Sequence, residues 1–183
     1  DINALQNLVA IKTLSLENNR VTDISSLVAN PGLASGDGLY LKGNPLDFNG
    51  VDTPARIAVN TLRSRGVAVD TGLGGISGTS TDLSGIRGYA RIAAFRIEGF
   101  NAQNPGLPVN GIVDPPASGE FNLRDLPDGN YYVGAFVDID NDGLFEPGDG
   151  EPGAWYGGDT NPTVLNVSVV SSPSGIFIII PAP

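Results

Sequence analysis

Carboxylate side chains are concentrated in one short segment, residues 138–151, which we call the acidic loop. It holds six acids and no base. Asp138, Asp140 and Asp142 alternate with other residues, and Gly143 follows directly. A glycine at that point allows a sharp reversal of the chain, so that the three carboxylates converge. Converging carboxylates demand a counterion, and hard oxygen ligands favour a hard divalent cation.

The order D-x-D-x-D-G resembles the first half of an EF-hand-type calcium loop. In that resemblance the three aspartates take positions 1, 3 and 5, a backbone carbonyl takes position 7, and a carboxylate closes the shell near position 12. We therefore expect a Ca²⁺ site. The predicted ligands are Asp138, Asp140, Asp142, Leu144 through its carbonyl, Asp149 and Glu151.

Two questions about this loop stay open in the sequence. Position 12 is Asp149 instead of the usual bidentate Glu, and Glu151 is the alternative closing ligand. Glu146 at position 9 is expected to act directly or through water. The competing interpretation is a solvated acidic turn, in which Asp and Asn side chains form Asx turns. A predicted strand precedes the loop and no helix follows it, so a helix-opening switch is not expected.

Composition excludes several kinds of chemistry. The chain has no Cys and no His, which excludes disulfides, Cys/His metal sites, cysteine catalysis and Ser-His-Asp triads. A glycosidase-type carboxylate pair is conceivable, but the acids cluster with metal-ligand spacing, so we expect no enzyme. Residues 120–159 carry a net charge of −9 out of −10, which disfavours binding to nucleic acid. No apolar run is long enough to span a membrane.

A repeat organises the first part of the chain. The pattern L-x-L-x-x-N-x-(V/L) occurs at 14–21 and again at 39–46, a shift of 25 residues. It resembles the bacterial leucine-rich repeat across residues 1–46. The resemblance implies a short strand with both leucines inward and an Asn amide that reaches backbone groups at the turn. Since the array begins in the middle of a repeat, we expect the chain to be part of a longer protein.

Residues 47–70 are predicted to close this solenoid end as a cap, which completes a domain at 1–70. Thr53 is the expected N-cap of one helix with Pro54 at its first position, and Gly66 follows its end. Its apolar face is predicted to hold Ile57, Ala58 and Leu62. A short closing strand is expected at 67–69.

Residues 71–85 are rich in Gly, Ser and Thr and are predicted to be a linker that runs into a first strand. From 86 to 183, alternating apolar residues and Gly/Pro/Asp turns predict an antiparallel β-sandwich of about seven strands, so the chain is mostly β. The segment 119–133, G-x-F-x-L-x-x-L-P-x-G-x-Y-x-V, resembles the prealbumin-like or carboxypeptidase-regulatory-like domain of bacterial surface proteins. Members of that group usually act as stalks, spacers or accessory modules.

Two apolar segments allow two interpretations each. Trp155 and Tyr156 either pack beneath the acidic loop or form an exposed platform for a sugar. The strand-like segment 176–180 is either the last strand of its own sandwich or an edge strand that joins a neighbouring subunit.

The sequence thus predicts a secreted or cell-surface, calcium-binding structural or protein-interaction (adhesion) module without catalysis. The alternative is a subunit of an extracellular filament or sheath, assembled through its terminal strand or open solenoid end. A carbohydrate-binding module is a lesser alternative. The expected partners are proteins or further copies of the chain as a homo-oligomer, and a glycan is a further candidate; no nucleic acid and no membrane span are expected.

Overall fold

The computed structural model describes residues 1–113 and 119–182, in two compact units, Asp1–Leu73 and Gly74–Pro183. Strand accounts for 33% of the described residues and helix for 13%, which confirms the predicted mostly β class. Within the described ranges, the helices are all too short or too polar to cross a membrane.

The elements of the first unit are β1 (Thr13–Ser15), α1 (Ser25–Val28), β2 (Gly38–Tyr40), α2 (Pro54–Ser64) and β3 (Ala68–Asp70), with a 3₁₀ turn at Asn3–Asn7. The strands form a three-stranded parallel sheet in the order β1-β2-β3. Leu14 lies opposite Leu39, so the register between β1 and β2 equals the 25-residue shift of the repeat. The closing strand is also confirmed as β3.

The repeat asparagines bond to the backbone as expected. The Asn44 side-chain amide donates to the carbonyls of Leu16 and Leu41, both at 2.8 Å, and its oxygen accepts from the Val21 N–H at 3.0 Å. Asn44 therefore ties two successive turns together. Asn19, its exposed counterpart one repeat earlier, donates only to carbonyls within its own turn, those of Leu16 and Glu17.

Helix α2 begins as predicted. The Thr53 side-chain oxygen accepts from the Arg56 N–H at 3.4 Å, and Pro54 occupies the first position. The predicted apolar face was partly wrong, because Ile57 is half exposed. The buried face repeats at intervals of three and four residues, which is the helical period, and Ile57 lies off this line. Its apolar members are Ala55, Ala58, Val59 and Leu62, and Arg56 is buried beside them.

The strands of the second unit are β4 (Gly74–Asp82), β5 (Tyr89–Arg96), β6 (Asn110–Val113), β7 (Glu120–Leu126), β8 (Gly129–Asp138), β9 (Gly153–Trp155), β10 (Leu165–Val167) and β11 (Ile176–Ile180). They form two sheets, one with the path β10-β8-β5-β6 plus β9 on β8, and one with the order β11-β4-β7. Among these strands, all pairs are antiparallel except β11 with β4, which is parallel. The wholly antiparallel expectation was therefore wrong at this pair, because alternation specifies faces and not strand direction.

One buried cluster draws side chains from both sheets of this unit. Ile76, Leu123 and Ile178 come from the smaller sheet, and Val133 comes from the larger one. The turn between β7 and β8 falls at the predicted L-P-x-G segment. There the Tyr131 hydroxyl donates to the carbonyl of Pro127, the second residue of that segment, at 2.6 Å.

We expect Asn44→Ala to destabilise the first unit by about 1–3 kcal/mol, because the Leu41 carbonyl and the Val21 N–H lose their bonds to this side chain and the Leu16 carbonyl keeps only its bond from Asn19. Asn19→Ala is the matched control, and its loss should be smaller, since its amide is exposed and water replaces its bonds. Chemical denaturation of the full chain measures both. Equal losses would contradict the tie between turns.

Candidate metal centre

The acidic loop connects two paired strands. Strand β8 ends at Asp138, and β9 returns antiparallel beside it, with Gly134 opposite Trp155. The Val137 N–H donates to the Pro152 carbonyl at 2.9 Å and extends this pairing towards the loop. Both ends of the loop are therefore fixed by backbone hydrogen bonds.

A cluster of aromatic rings lies beneath the loop. Phe145, in the middle of the loop, is buried and contacts Phe136 and Trp155 at ring-centre distances of 5.0 and 5.9 Å. Trp155 is only 5% exposed and also packs against Phe95 and Phe100. The packing interpretation of Trp155 is thus confirmed, and its ring offers no open face for a sugar. This apolar anchor holds the centre of the acidic loop against the sheet.

Asp138 is the buried end of the loop. One carboxylate oxygen accepts from the Asn141 N–H at 2.6 Å, and the other accepts from the Gly143 N–H at 2.9 Å and from Arg91 Nε. Burial raises the pKa of Asp138, but the hydrogen bonds from Gly143, Asn141 and Arg91 outweigh it, so that the pKa lies below its ordinary value. The side chain is therefore held as a carboxylate.

Arg91 is the functional residue that sequence reasoning missed. It comes from β5, 47 residues before Asp138, and it also donates to the Asn141 side-chain oxygen at 2.8 Å. The acidic loop itself contains no base, so its cation arrives from the neighbouring strand of the sheet. An arginine among the apolar residues in the middle of β5 was the available signal, but it did not identify its partner.

Within the loop, the chain turns as the sequence predicts. Gly143 has φ +88° and Asn141 has φ +67°, both in the left-handed region. Asp140 accepts from the Asp142 N–H at 3.2 Å, and Asp142 accepts from the Leu144 N–H at 2.7 Å. These are the Asx turns of the competing interpretation. Each of them uses one carboxylate oxygen of its aspartate.

The carboxylates converge in two overlapping groups. Asp138, Asp140 and Glu151 place carboxylate oxygens within 4.8 Å of one another, and so do Asp140, Asp142 and Glu146. Asp140 belongs to both groups, so they form one continuous patch of oxygen ligands.

The two possible closing ligands lie in different surroundings. Glu151 is buried and accepts the N–H groups of Ile139 and Glu146, both at 2.8 Å. Asp149 lies exposed in the 3₁₀ turn Pro147–Asp149, and neither group found among the described residues includes it. Leu144 lies between Asp142 and Glu146 along the chain, and its N–H donates to the Asp142 carboxylate.

Glu146 lies among the other carboxylates of the loop. Burial raises its pKa above the ordinary value, and the negative charges of Asp142, Asp149, Asp140 and Glu151 raise it further. The patch therefore disfavours one more negative charge. A cation among these oxygens would relieve the repulsion.

We expect Asp138→Asn to lower the free energy of unfolding by about 3 kcal/mol, measured without divalent cations. The reason is that Arg91, with a side chain only 15% exposed, loses its acidic partner. Asp142→Asn is the matched control, with an expected loss under about 1 kcal/mol, because Asp142 is exposed. A similar loss in both variants would show that the ion pair does not hold the loop.

Comparison with protein-family models, with curated proteins and with solved structures gave no significant match for this chain. The leucine-rich repeat and prealbumin-like resemblances stay predictions. Any functional assignment of this chain therefore rests on the geometry of the acidic loop and of the fold around it.

Proposed function

We propose that this chain is a calcium-binding structural and protein-interaction module, without catalysis, of a secreted or cell-surface protein. The observation that carries the proposal is the convergence of five carboxylates from one short loop into a continuous patch of oxygens. They are Asp138, Asp140, Asp142, Glu146 and Glu151.

Calcium suits this patch for two physical reasons. All the candidate ligands are oxygens, and Ca²⁺ takes six to eight of them in a flexible shell, whereas Mg²⁺ demands a near-ideal octahedron. The loop wraps around left-handed residues at Asn141 and Gly143, which brings ligands from successive positions to one side. Glu151 is the better supported closing ligand, because its carboxylate lies with those of Asp138 and Asp140.

The role we propose for calcium is structural. The backbone pairing of β8 with β9 and the aromatic cluster around Phe145 hold the loop in place. An ion would therefore cancel repulsion within a formed loop instead of opening a groove. Outside the cell, millimolar calcium fills even weak sites, and binding to the folded state stabilises it by mass action.

The remainder of the chain supports a display or adhesion role. The 25-residue register of β1 and β2, together with the Asn44 bonds, favours a leucine-rich repeat. The two sheets that share one buried cluster favour a prealbumin-like sandwich. The prealbumin-like resemblance implies a stalk, spacer or accessory module, which suits a display role. The acids lie together as ligands and not singly on separate strands, which favours binding over catalysis.

Millimolar calcium should raise the melting temperature of the full chain by several degrees, and EGTA should reverse the rise. Asp140→Asn should remove most of this rise, because Asp140 belongs to both carboxylate groups. Asp52→Asn, at an exposed aspartate of the first unit, makes the same charge change and should keep the rise. Identical melts of the unsubstituted chain in calcium and EGTA would reduce the loop to a solvated acidic turn.

Glu146→Gln should have opposite effects in the two conditions. In EGTA the variant should melt at a higher temperature than the unsubstituted chain, because one repelling charge is gone. Addition of calcium should raise the melting temperature of the variant by less than that of the unsubstituted chain, because one carboxylate ligand is gone. Glu98→Gln, an exposed glutamate outside the loop, is the control for net charge. The same shift in both conditions would contradict a role for Glu146 in cation binding.

A further inference from the structure

Strand β11 forms one edge of the smaller sheet of the second unit. It pairs with β4 in parallel, from Ile176 opposite Gly78 to Ile180 opposite Asp82. The sheet order β11-β4-β7 places no strand on its other side in the described part of the chain. Its outer edge therefore offers a row of backbone donors and acceptors to another strand.

This edge lacks the usual protection. Natural edge strands carry charged side chains, an internal proline or a bulge, which prevent pairing with other chains. The five residues of β11 are Ile-Phe-Ile-Ile-Ile, and they pair with β4 without a register shift. Phe177 is 54% exposed and Ile179 is 42% exposed on its outer face. An unprotected apolar edge of this kind favours pairing with a further strand.

Charge restricts what that further strand is. Residues 120–159 hold ten acids and one base, whereas residues 160–183 hold no charge. Since β11 lies in the uncharged segment, it offers no ion pair to a charged strand, and its exposed Phe177 and Ile179 favour apolar neighbours. A neutral, apolar strand is therefore the best match to β11, and a second copy of β11 is such a strand.

We propose that two copies of this chain associate by pairing β11 with β11 in antiparallel fashion, across a two-fold axis at Ile178. Ile176 then lies opposite Ile180 of the second copy, and Phe177 lies opposite its Ile179. The buried side chains of Ile176, Ile178 and Ile180 then form one apolar row with the same residues of the second copy. On the solvent-facing side, Ile179 of the second copy covers the exposed ring of Phe177. Aromatic and β-branched residues are favourable cross-strand pairs, and no like charges meet.

The two-fold symmetry closes this assembly at two copies, since each chain uses its edge once. The joined sheet has six strands in the order β7-β4-β11-β11-β4-β7. Pro181 directly follows the strand, and without an N–H it ends the ladder there. Such a short strand pair buries little surface, so the dimer is weak and depends on concentration. The inference goes beyond the calcium proposal and does not depend on it.

Sedimentation equilibrium of the full chain, from micromolar to millimolar concentration, tests the association in EGTA and in calcium. A reversible dimer is expected in both conditions. Ile179→Lys should weaken it by about tenfold or more, because each interface then carries two lysines beside apolar partners. Val170→Lys is the control, since Val170 is 92% exposed and lies outside β11, and it should dimerise normally. Thermal melts of both variants show that they fold.

The register has its own test, because the chain contains no Cys. Phe177→Cys and Ile179→Cys variants, when mixed under oxidising conditions, should form a cross-linked heterodimer faster than either variant alone. A monomer at every concentration would overturn the proposal, and so would a dimer that Ile179→Lys leaves intact. Growth beyond two copies would overturn the closed two-fold. Because dimerisation is measured without calcium, its failure is distinct from a failure of the metal site.

Discussion

The conformation of the acidic loop depends on the contacts of one buried carboxylate, that of Asp138. A charge in that position is stable only when hydrogen bonds and an opposite charge replace its water. Two N–H groups of the loop, from Asn141 and Gly143, supply the hydrogen bonds, and Arg91 supplies the charge. The loop must therefore fold back over the end of β8, and this return brings the remaining carboxylates together. Convergence of like charges is thus a consequence of satisfying one buried acid.

The sheet and the aromatic cluster hold the carboxylates together against their mutual repulsion. Burial raises the pKa of Glu146, and repulsion from the neighbouring carboxylates, which opposes their convergence, raises it further. Pairing of β8 with β9 and burial of Phe145 against Trp155 oppose this repulsion. In the calcium site that we propose, an ion would add stability to a loop that these contacts also hold.

The two units use different solutions for the same problem, which is to satisfy backbone groups where short strands end. In the first unit, Asn44 bonds to carbonyls of its own turn and of the preceding one. In the second unit, Tyr131 places its hydroxyl on the carbonyl of Pro127 at the turn that precedes its own strand. Both side chains act over a short distance along the chain or across one repeat. For that reason their roles follow from local sequence patterns.

The sequence by itself determined the local features. The 25-residue shift gave the register of β1 and β2, Thr53-Pro54 began α2, and the D-x-D-x-D-G pattern placed the turn at Gly143. Tertiary structure decided which distant residues meet. The pairing of β5 with β8 brought Arg91 to Asp138, and the crossover of β11 made its pairing with β4 parallel. Turn and helix preferences act over a few residues and are visible in order along the chain. Strand order and direction depend on how whole sheets bury their apolar faces, and alternation alone does not encode them.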